Sequence, residues 1–405
     1  MVQQAVAAQA ASGLSETDAE EILDRARALI PYLRSKAVDI SNARRIPQEV
    51  MDKIVDAGLM QLLRPKRFGG RDAPMDLMYR VSRELSRGDG STGWVYAVIN
   101  CHDQFVGLYP EEVQSAYWAS ERPLSASSYM PTGKAVAVDG GYKISGKWSF
   151  CSGIDFCDWI VVGAVVGMLP GDKPMPDMRY VLLNTKDVQI IDDWHVMGLR
   201  GTGSKSIAVD DLFVPNAYVL TGQEVGEGKT PGAALHENPS YSAPVWTLFG
   251  FCIAATATGV VQTAYEVLRA EFEKRLGRQE PVFMNKVSAV QMHIAEASVL
   301  IDCSDMLYNR ALDDTFEQVY TTGTVTRELR IRNRRDLAYS VLSARKAAEI
   351  LMGMAGGRAI TEDGEVQRAL RDVFAVNAHP GMNWDAPALS YGSVALGGPP
   401  TEPYF

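Results

Sequence analysis

The spacing of apolar residues changes twice along this chain, and no single regular architecture accommodates both periods. From residue 16 the repeat is helical: ETDAEEILDRARALIPYLRSKAV (16–38) follows Ser15, whose hydroxyl can cap free amides, and sets Ile22, Ala26, Leu29 and Leu33 on one face. Pro31 falls inside that run, where the loss of a backbone donor threatens a kink. IPQEVMDKIVDAGL (46–59) has Pro47 in its first turn and Gly58 near its end, the asymmetry of a short helix. Beyond the loop RPKRFGGRDAP, the runs MDLMYRVSRELSR and STGWVYAVINCHDQFVGLY are helical by length and spacing. From about residue 124 the period falls to two. KAVAVDGGYKISGKWSF alternates around Asp139-Gly140-Gly141, a hairpin signal, and DWIVVGAVVG, RYVLLNT, VQIIDDW and KSIAVDDLFVP read as further short strands. GEGKTPG, near 228, reads as a linker, after which helical spacing returns at about 245–276, 286–319, 324–353 and 364–378. The chain is therefore expected to be α+β, with a helical domain over 1–117, a β domain over 118–228 and a second helical domain over 229–405.

At 405 residues the chain exceeds one ordinary core, and 46% hydrophobic against 22% charged residues is the balance of a globular protein. A net charge of -9 with no block of Lys or Arg argues against a nucleic acid or an anionic membrane surface and toward small-molecule chemistry. No apolar run reaches the roughly 18 residues needed to span a bilayer. The opening MVQQAVAAQAASGLSE lacks the positive start of a secretory signal, and the five cysteines form no C-x-x-C pair, so a reducing cytoplasm is expected.

Several chemistries are excluded by missing patterns. There is no phosphate-binding G-x-x-x-x-G-K-[ST] loop, and Gly198-Leu199-Arg200-Gly201-Thr202-Gly203 has the wrong spacing for a dinucleotide fingerprint. No G-x-S-x-G elbow occurs. His102, His195, His236, His293 and His379 never pair at metal-ligand spacing, so no metal is expected.

One stretch resists a purely structural reading. In KWSFCSGIDFCDW (147–159) the rings of Trp148, Phe150, Phe156 and Trp159 flank Cys151, Ser152 and Gly153, so a hydroxyl and a bare backbone stand between two aromatic strands. A strand bend with a small residue at a tight packing point is one explanation. A pocket for a flat, wide, apolar ring with polar edge atoms is the other, because broad side chains suit the faces and close backbone suits the edge.

Taken in order, IPQEVMDKIVDAGLMQLLRPKRFGG, ISGKWSFCSG, WHVMGLRGTGSKSIAVDDLFVP and the closing set of four helices resemble the acyl-CoA dehydrogenase superfamily over about residues 16–395. The resemblance implies an N-terminal helical domain, a central β-barrel domain and a C-terminal four-helix bundle that builds a homotetramer. The dehydrogenases of that superfamily use a carboxylate base late in the chain, whereas here VNAHPGMNWDAP carries His379. That pattern is similar to the flavin-dependent monooxygenase branch, the oxygenase components of two-component systems such as p-hydroxyphenylacetate hydroxylase. The implied chemistry is hydroxylation of an aromatic, phenolic substrate through a flavin hydroperoxide, using reduced FMN or FAD and molecular oxygen, with a separate NAD(P)H-dependent reductase supplying the flavin. An acyl-CoA dehydrogenase or a nitroalkane-oxidising flavoenzyme is the alternative.

By that resemblance His102 and Ser128 hold the phenol oxygen, with Ser127 as the other register, and His379 stands at the reactive edge of the flavin, oriented by Asp385. A helix-face histidine at 102 and a helix-end histidine at 379 are the plainer readings. Trp148 and Phe150 are expected as walls of the flavin pocket, with Ser152 beside a ring nitrogen and Gly153 admitting the ring. The opening itself is expected as a dry, ring-sized slot between the 147–153 strand and the chain around 379. Arg200 and the turn Gly201-Thr202-Gly203-Ser204 offer donors to a phosphate or flavin edge, or form a plain turn. Arg275, Arg278 and Gln291 fall where family members reach a neighbouring subunit's flavin, or make a solvated basic face.

Overall fold

A computed structural model describes residues 14–170, 175–284 and 286–402. The N-terminal part is helical: α1 (Glu16–Ala43), α2 (Gln48–Asp56), α3 (Met75–Gly88), α4 (Gly90–Val106) and α5 (Glu111–Trp118). Ser15 caps α1 as the sequence predicts, its hydroxyl accepting the Asp18 amide at 3.1 Å in a reciprocal capping box. The helix continues through Pro31 to Ala43. Pro31 lies on the exposed side, where water can satisfy the carbonyl its missing donor leaves behind.

Seven strands follow: β1 (Ser125–Val138), β2 (Gly141–Cys151), β3 (Trp159–Leu169), β4 (Met175–Asn184), β5 (Gln189–Ile191), β6 (Lys205–Pro215) and β7 (Val219–Thr221). The hairpin read around Asp139 is present: Val138 pairs with Gly141, and Gly140 takes the left-handed φ of 75° that this tight turn demands. The sheet order is β5-β6-β2-β1-β3-β4-β7, with β1 and β3 parallel and the other pairs antiparallel. The expected barrel is not formed. The sheet is open, because its edges β5 and β7 are three-residue stubs that pair only inward and offer no length for closure.

The remaining helices are α6 (Gly222–Glu227), α7 (Val245–Gly277), α8 (Pro281–Met284), α9 (Val287–Thr322), α10 (Arg327–Ala355), α11 (Glu365–Asn377) and α12 (Asp385–Ala395). α7 is long and apolar enough by composition to cross a membrane, yet most of that window is buried inside the molecule. Its buried side chains pack on α3, α4, α9, α10 and α11, which makes it the helix joining the two helical parts. The helical starts and ends predicted for α7, α9, α10 and α11 are met within three residues, whereas α12 was not anticipated.

Candidate active site

The site is assembled from α4, the ends of β1 and β2, the 197–204 loop and the C-terminal end of α11. Within α4, Asp89 caps the first turn by accepting the Thr92 amide at 2.8 Å, and His102 lies on the buried side of the helix. His102 is 0% exposed. Its Nδ1 lies 2.6 Å from the carbonyl of Ser125 in β1, and a carbonyl can only accept, so the proton sits on Nδ1. Nε2 is then a bare acceptor, and it is buried with no hydrogen-bond partner. Tyr129 stands edge-on to the imidazole at 6.0 Å and Phe249 lies at 6.2 Å, while Tyr129 also meets Phe105 at 5.2 Å and Trp246 at 5.1 Å. Burial in this aromatic cage pushes the imidazole down to about 4, only partly offset by the Ser125 hydrogen bond.

Ser128 does not turn toward His102. Its hydroxyl donates to the Ser149 carbonyl at 2.8 Å, on the neighbouring strand. The two-residue period of a strand puts Ser127, not Ser128, on the face that carries Tyr129 toward the imidazole.

The second half of the site is a row of hydroxyls. Ser152 Oγ accepts the indole N–H of Trp94 at 3.1 Å and lies 2.7 Å from Ser204 Oγ, which lies 2.7 Å from Thr202 Oγ1. The Trp94 indole in turn meets the ring of His379 edge-on at 6.0 Å. Between the strand end and the chain near 379, where an open slot is expected, the structure places the Trp94 indole. His379 Nδ1 accepts the Gly381 amide at 3.0 Å, which leaves the proton on Nε2, so this histidine offers a donor. Burial first, and the Arg334 guanidinium second, push it down to about 4. Asp385 does not orient it: that residue is exposed and opens α12, its amide held by Asn383 Oδ1 at 2.9 Å.

In the 147–153 strand Trp148 corrects the expectation of a pocket wall, while Phe150 and Gly153 take left-handed backbone positions. Trp148 is 0% exposed and donates its indole N–H to the Gly163 carbonyl at 2.7 Å; its ring fills the hole left by Gly133 and Gly146, so it is sheet core and shows no face to a ligand. Phe150 is 67% exposed at a break in the β2–β6 register, with a left-handed φ of 66° and its ring edge-on to Trp194 at 5.9 Å. Gly153 is required by the fold itself: at φ 72°, a Cβ there would sit 2.8 Å from Ile99 Cδ1 and 3.0 Å from Val95 Cγ1 of α4.

In the 197–204 loop the Gly201 amide is taken by Ser91 Oγ at 3.1 Å, and Arg200 is half-buried beside it. Arg275 pairs with Glu271 and lies over the Phe272 ring at 5.8 Å, Arg278 faces Glu280 at 3.8 Å, and Gln291 is exposed on α9. Arg275 is 26 residues beyond Phe249 on the same helix, roughly 39 Å at 1.5 Å per residue, so it cannot serve the site of its own chain. Trp94, Asp372 and the aromatic cage had no sequence signal, because ordinary helix-face residues acquire meaning only from what packs against them. Among the described residues no cluster of His, Cys, Asp or Glu is arranged to hold a metal.

This architecture, helices, an open sheet and long helices with a buried site at their junction, is that of the acyl-CoA dehydrogenases. The family model "Acyl-CoA dehydrogenase, N-terminal domain" matches residues 16–119 and "Acyl-CoA dehydrogenase, C-terminal domain" matches 251–384. The FADH(2)-dependent resorcinol hydroxylase, oxygenase component, of Rhizobium sp. is 31% identical, covering 95% of this chain and 96% of the relative. The flavin-dependent monooxygenase, oxygenase subunit HsaA, of Rhodococcus jostii is 31% identical over 94% and 99%. The crystal structure of 3-HSA hydroxylase from Rhodococcus sp. RHA1 superposes with a TM-score of 0.87, at 31% identity over 95% and 99%. The chain belongs to the acyl-CoA dehydrogenase superfamily, in its branch of flavin-dependent monooxygenase oxygenase components.

Proposed function

We infer that this chain is the oxygenase component of a two-component system that hydroxylates a phenolic ring with reduced FMN or FAD and molecular oxygen, the flavin being supplied by a separate NAD(P)H-dependent reductase. The observation that carries the reading is the bare, buried Nε2 of His102 inside an aromatic cage. An unpaired buried acceptor costs roughly 1–3 kcal/mol, so a ligand that donates one hydrogen bond from the edge of a flat apolar ring recovers that cost and suits the cage.

The residues fit a flavin in three respects. Ser152, Ser204 and Thr202 offer a buried polar edge, Phe150 offers an exposed ring face, and His379 offers a donor from its Nε2. Bound there, reduced flavin would provide the two electrons that activate molecular oxygen, one atom of which goes to the ring and the other to water. His102 Nε2 accepts the hydrogen bond of the substrate hydroxyl and draws its proton, which enriches the ring carbon beside that hydroxyl for attack by an electrophile. Ser127 lies on the same strand face and adds a second polar contact for that oxygen. Tyr129, Phe105, Phe249 and Trp246 exclude water and hold the ring plane. No Glu lies within 377–395 and Asp385 there is exposed, which weighs against the carboxylate base of the dehydrogenase alternative.

We further assign α7, α9, α10 and α11 to a four-helix bundle through which copies associate as a homotetramer, with Arg275, Arg278, Gln291 and, from its own chain, Arg200 reaching flavin sites, and we place the enzyme in the cytoplasm. The test supplies the purified chain anaerobically with reduced FMN or FAD, admits oxygen, and compares a phenol with its O-methyl ether. Hydroxylated phenol with peroxide alone from the ether is the expected result. Equal hydroxylation of both, or of neither, overturns the role of His102.

A further inference from the structure

The loop bearing Thr202 and Ser204 is fastened to α11 at three points. Arg371 Nη1 donates to the Met197 carbonyl at 2.9 Å, Gly198 packs so tightly that a Cβ would lie 2.0 Å from the Arg371 carbonyl oxygen, and the Leu199 amide donates to Asp372 Oδ1 at 2.6 Å. Leu199 is held in the left-handed region at φ 52°, which a branched side chain adopts only when its surroundings impose it. Its carbonyl accepts the Thr202 hydroxyl at 2.9 Å, and from there the hydroxyls of Ser204 and Ser152 lead to the Trp94 indole. Asp372 is 5% exposed, and a Cβ at Gly90, the first residue of α4, would lie 3.1 Å from its Oδ2. One carboxyl group, carried by the helix that ends two residues before His379, thus bonds the loop of the hydroxyl row and packs against the start of the helix that carries Trp94 and His102.

We propose that Asp372 is a positioning residue for the flavin edge: it holds Leu199 in its strained conformation and thereby aims the Thr202–Ser204–Ser152 hydroxyls. The inference rests on the flavin reading for what the hydroxyls face, and on geometry alone for the hold on the loop. Oδ1 is the atom required, and an amide oxygen can replace it. Asp372→Ala removes the acceptor, freeing Leu199 to relax and the row to turn with it; Asp372→Asn keeps it.

Two measurements on the full-length chain test this. Amide hydrogen exchange over 197–204 is expected to accelerate about tenfold or more in Asp372→Ala and to stay within about twofold of the parent in Asp372→Asn, with exchange in the α9–α10 helices unchanged. Anaerobic binding of reduced FMN is expected to weaken about tenfold in both Asp372→Ala and Ser152→Ala, and no further in the double variant, since the two act through one row. Parent-like exchange in Asp372→Ala, failure of Asn to restore it, or additive losses in the double variant overturns the proposal. If Ser152→Ala binds flavin like the parent, the flavin reading of the row fails, and loop exchange alone then decides whether Asp372 holds Leu199.

Discussion

His102 and His379 are the same residue with opposite assignments. Both imidazoles are pushed to about 4 by burial and are neutral at neutral pH, yet one backbone contact inverts what each can do. The Ser125 carbonyl takes the Nδ1 proton of His102 and leaves a bare acceptor in the aromatic cage; the Gly381 amide takes the Nδ1 lone pair of His379 and leaves a donor on a ring that meets Trp94. Their surroundings differ in the same sense: apolar rings around His102, hydroxyls and a part-exposed indole near His379. Desolvation suppresses the charge in both places, and the polarity of the partner atom decides the role.

The strongest way to break this contrast is His102→Ala, which deletes the acceptor. Hydroxylated product is expected to fall by about 10²-fold or more, with reduced flavin still consumed and peroxide released, measured as product against peroxide per flavin. Next comes stability against pH. His102 titrates lower in the folded chain than in the unfolded one, so its contribution is complete above about 6.5 and is lost as pH falls toward about 4, on the order of 3 kcal/mol in all. Asp372 runs the other way. Its burial, reinforced by nearby Asp89 against Arg368, Arg371 and the Leu199 amide, raises it to about 7, so stability present below about 3.8 is lost as pH rises toward 7. Denaturant unfolding between pH 4 and 8 is expected to lose the acid-side decline in His102→Gln and the opposing decline in Asp372→Asn; an unchanged profile in either contradicts the burial assigned to it.

His379→Ala is expected to lower the yield of product per reduced flavin by about tenfold while leaving phenol affinity unchanged, read by product analysis and equilibrium binding. A loss of phenol affinity instead would erase the distinction between the two histidines. The smallest effect is expected from Phe150→Ala. A ring so exposed contributes within about 0.5 kcal/mol to stability, read by denaturant midpoint, but its removal is expected to weaken reduced-flavin binding severalfold.

Much of the frame was legible in the residue order because periodicity and caps are local properties. Ser15, the turn at Gly140 and the four long C-terminal runs each carry their signal within a few residues, and the structure places helices and hairpin there. The site was legible as a set of suspects. His102, Ser152 and His379 stand at the junction, but Trp148 proved to be core and Phe150 surface, because a bulge in β2 shifts the alternation that sequence reading assumes. Closure of the sheet was equally illegible, since it depends on how the short end strands β5 and β7 pair.

The order of residues by itself determined the helix–sheet–helix plan, the superfamily and the residue types available for chemistry. Tertiary structure alone decided which nitrogen of each histidine is free, that Trp94 stands between Ser152 and His379, and that Asp372 governs a loop 173 residues away in the chain. The reason is range: a helix or turn is specified by neighbours a few positions apart, whereas a buried acceptor or donor acquires its role from a single atom that another part of the chain delivers.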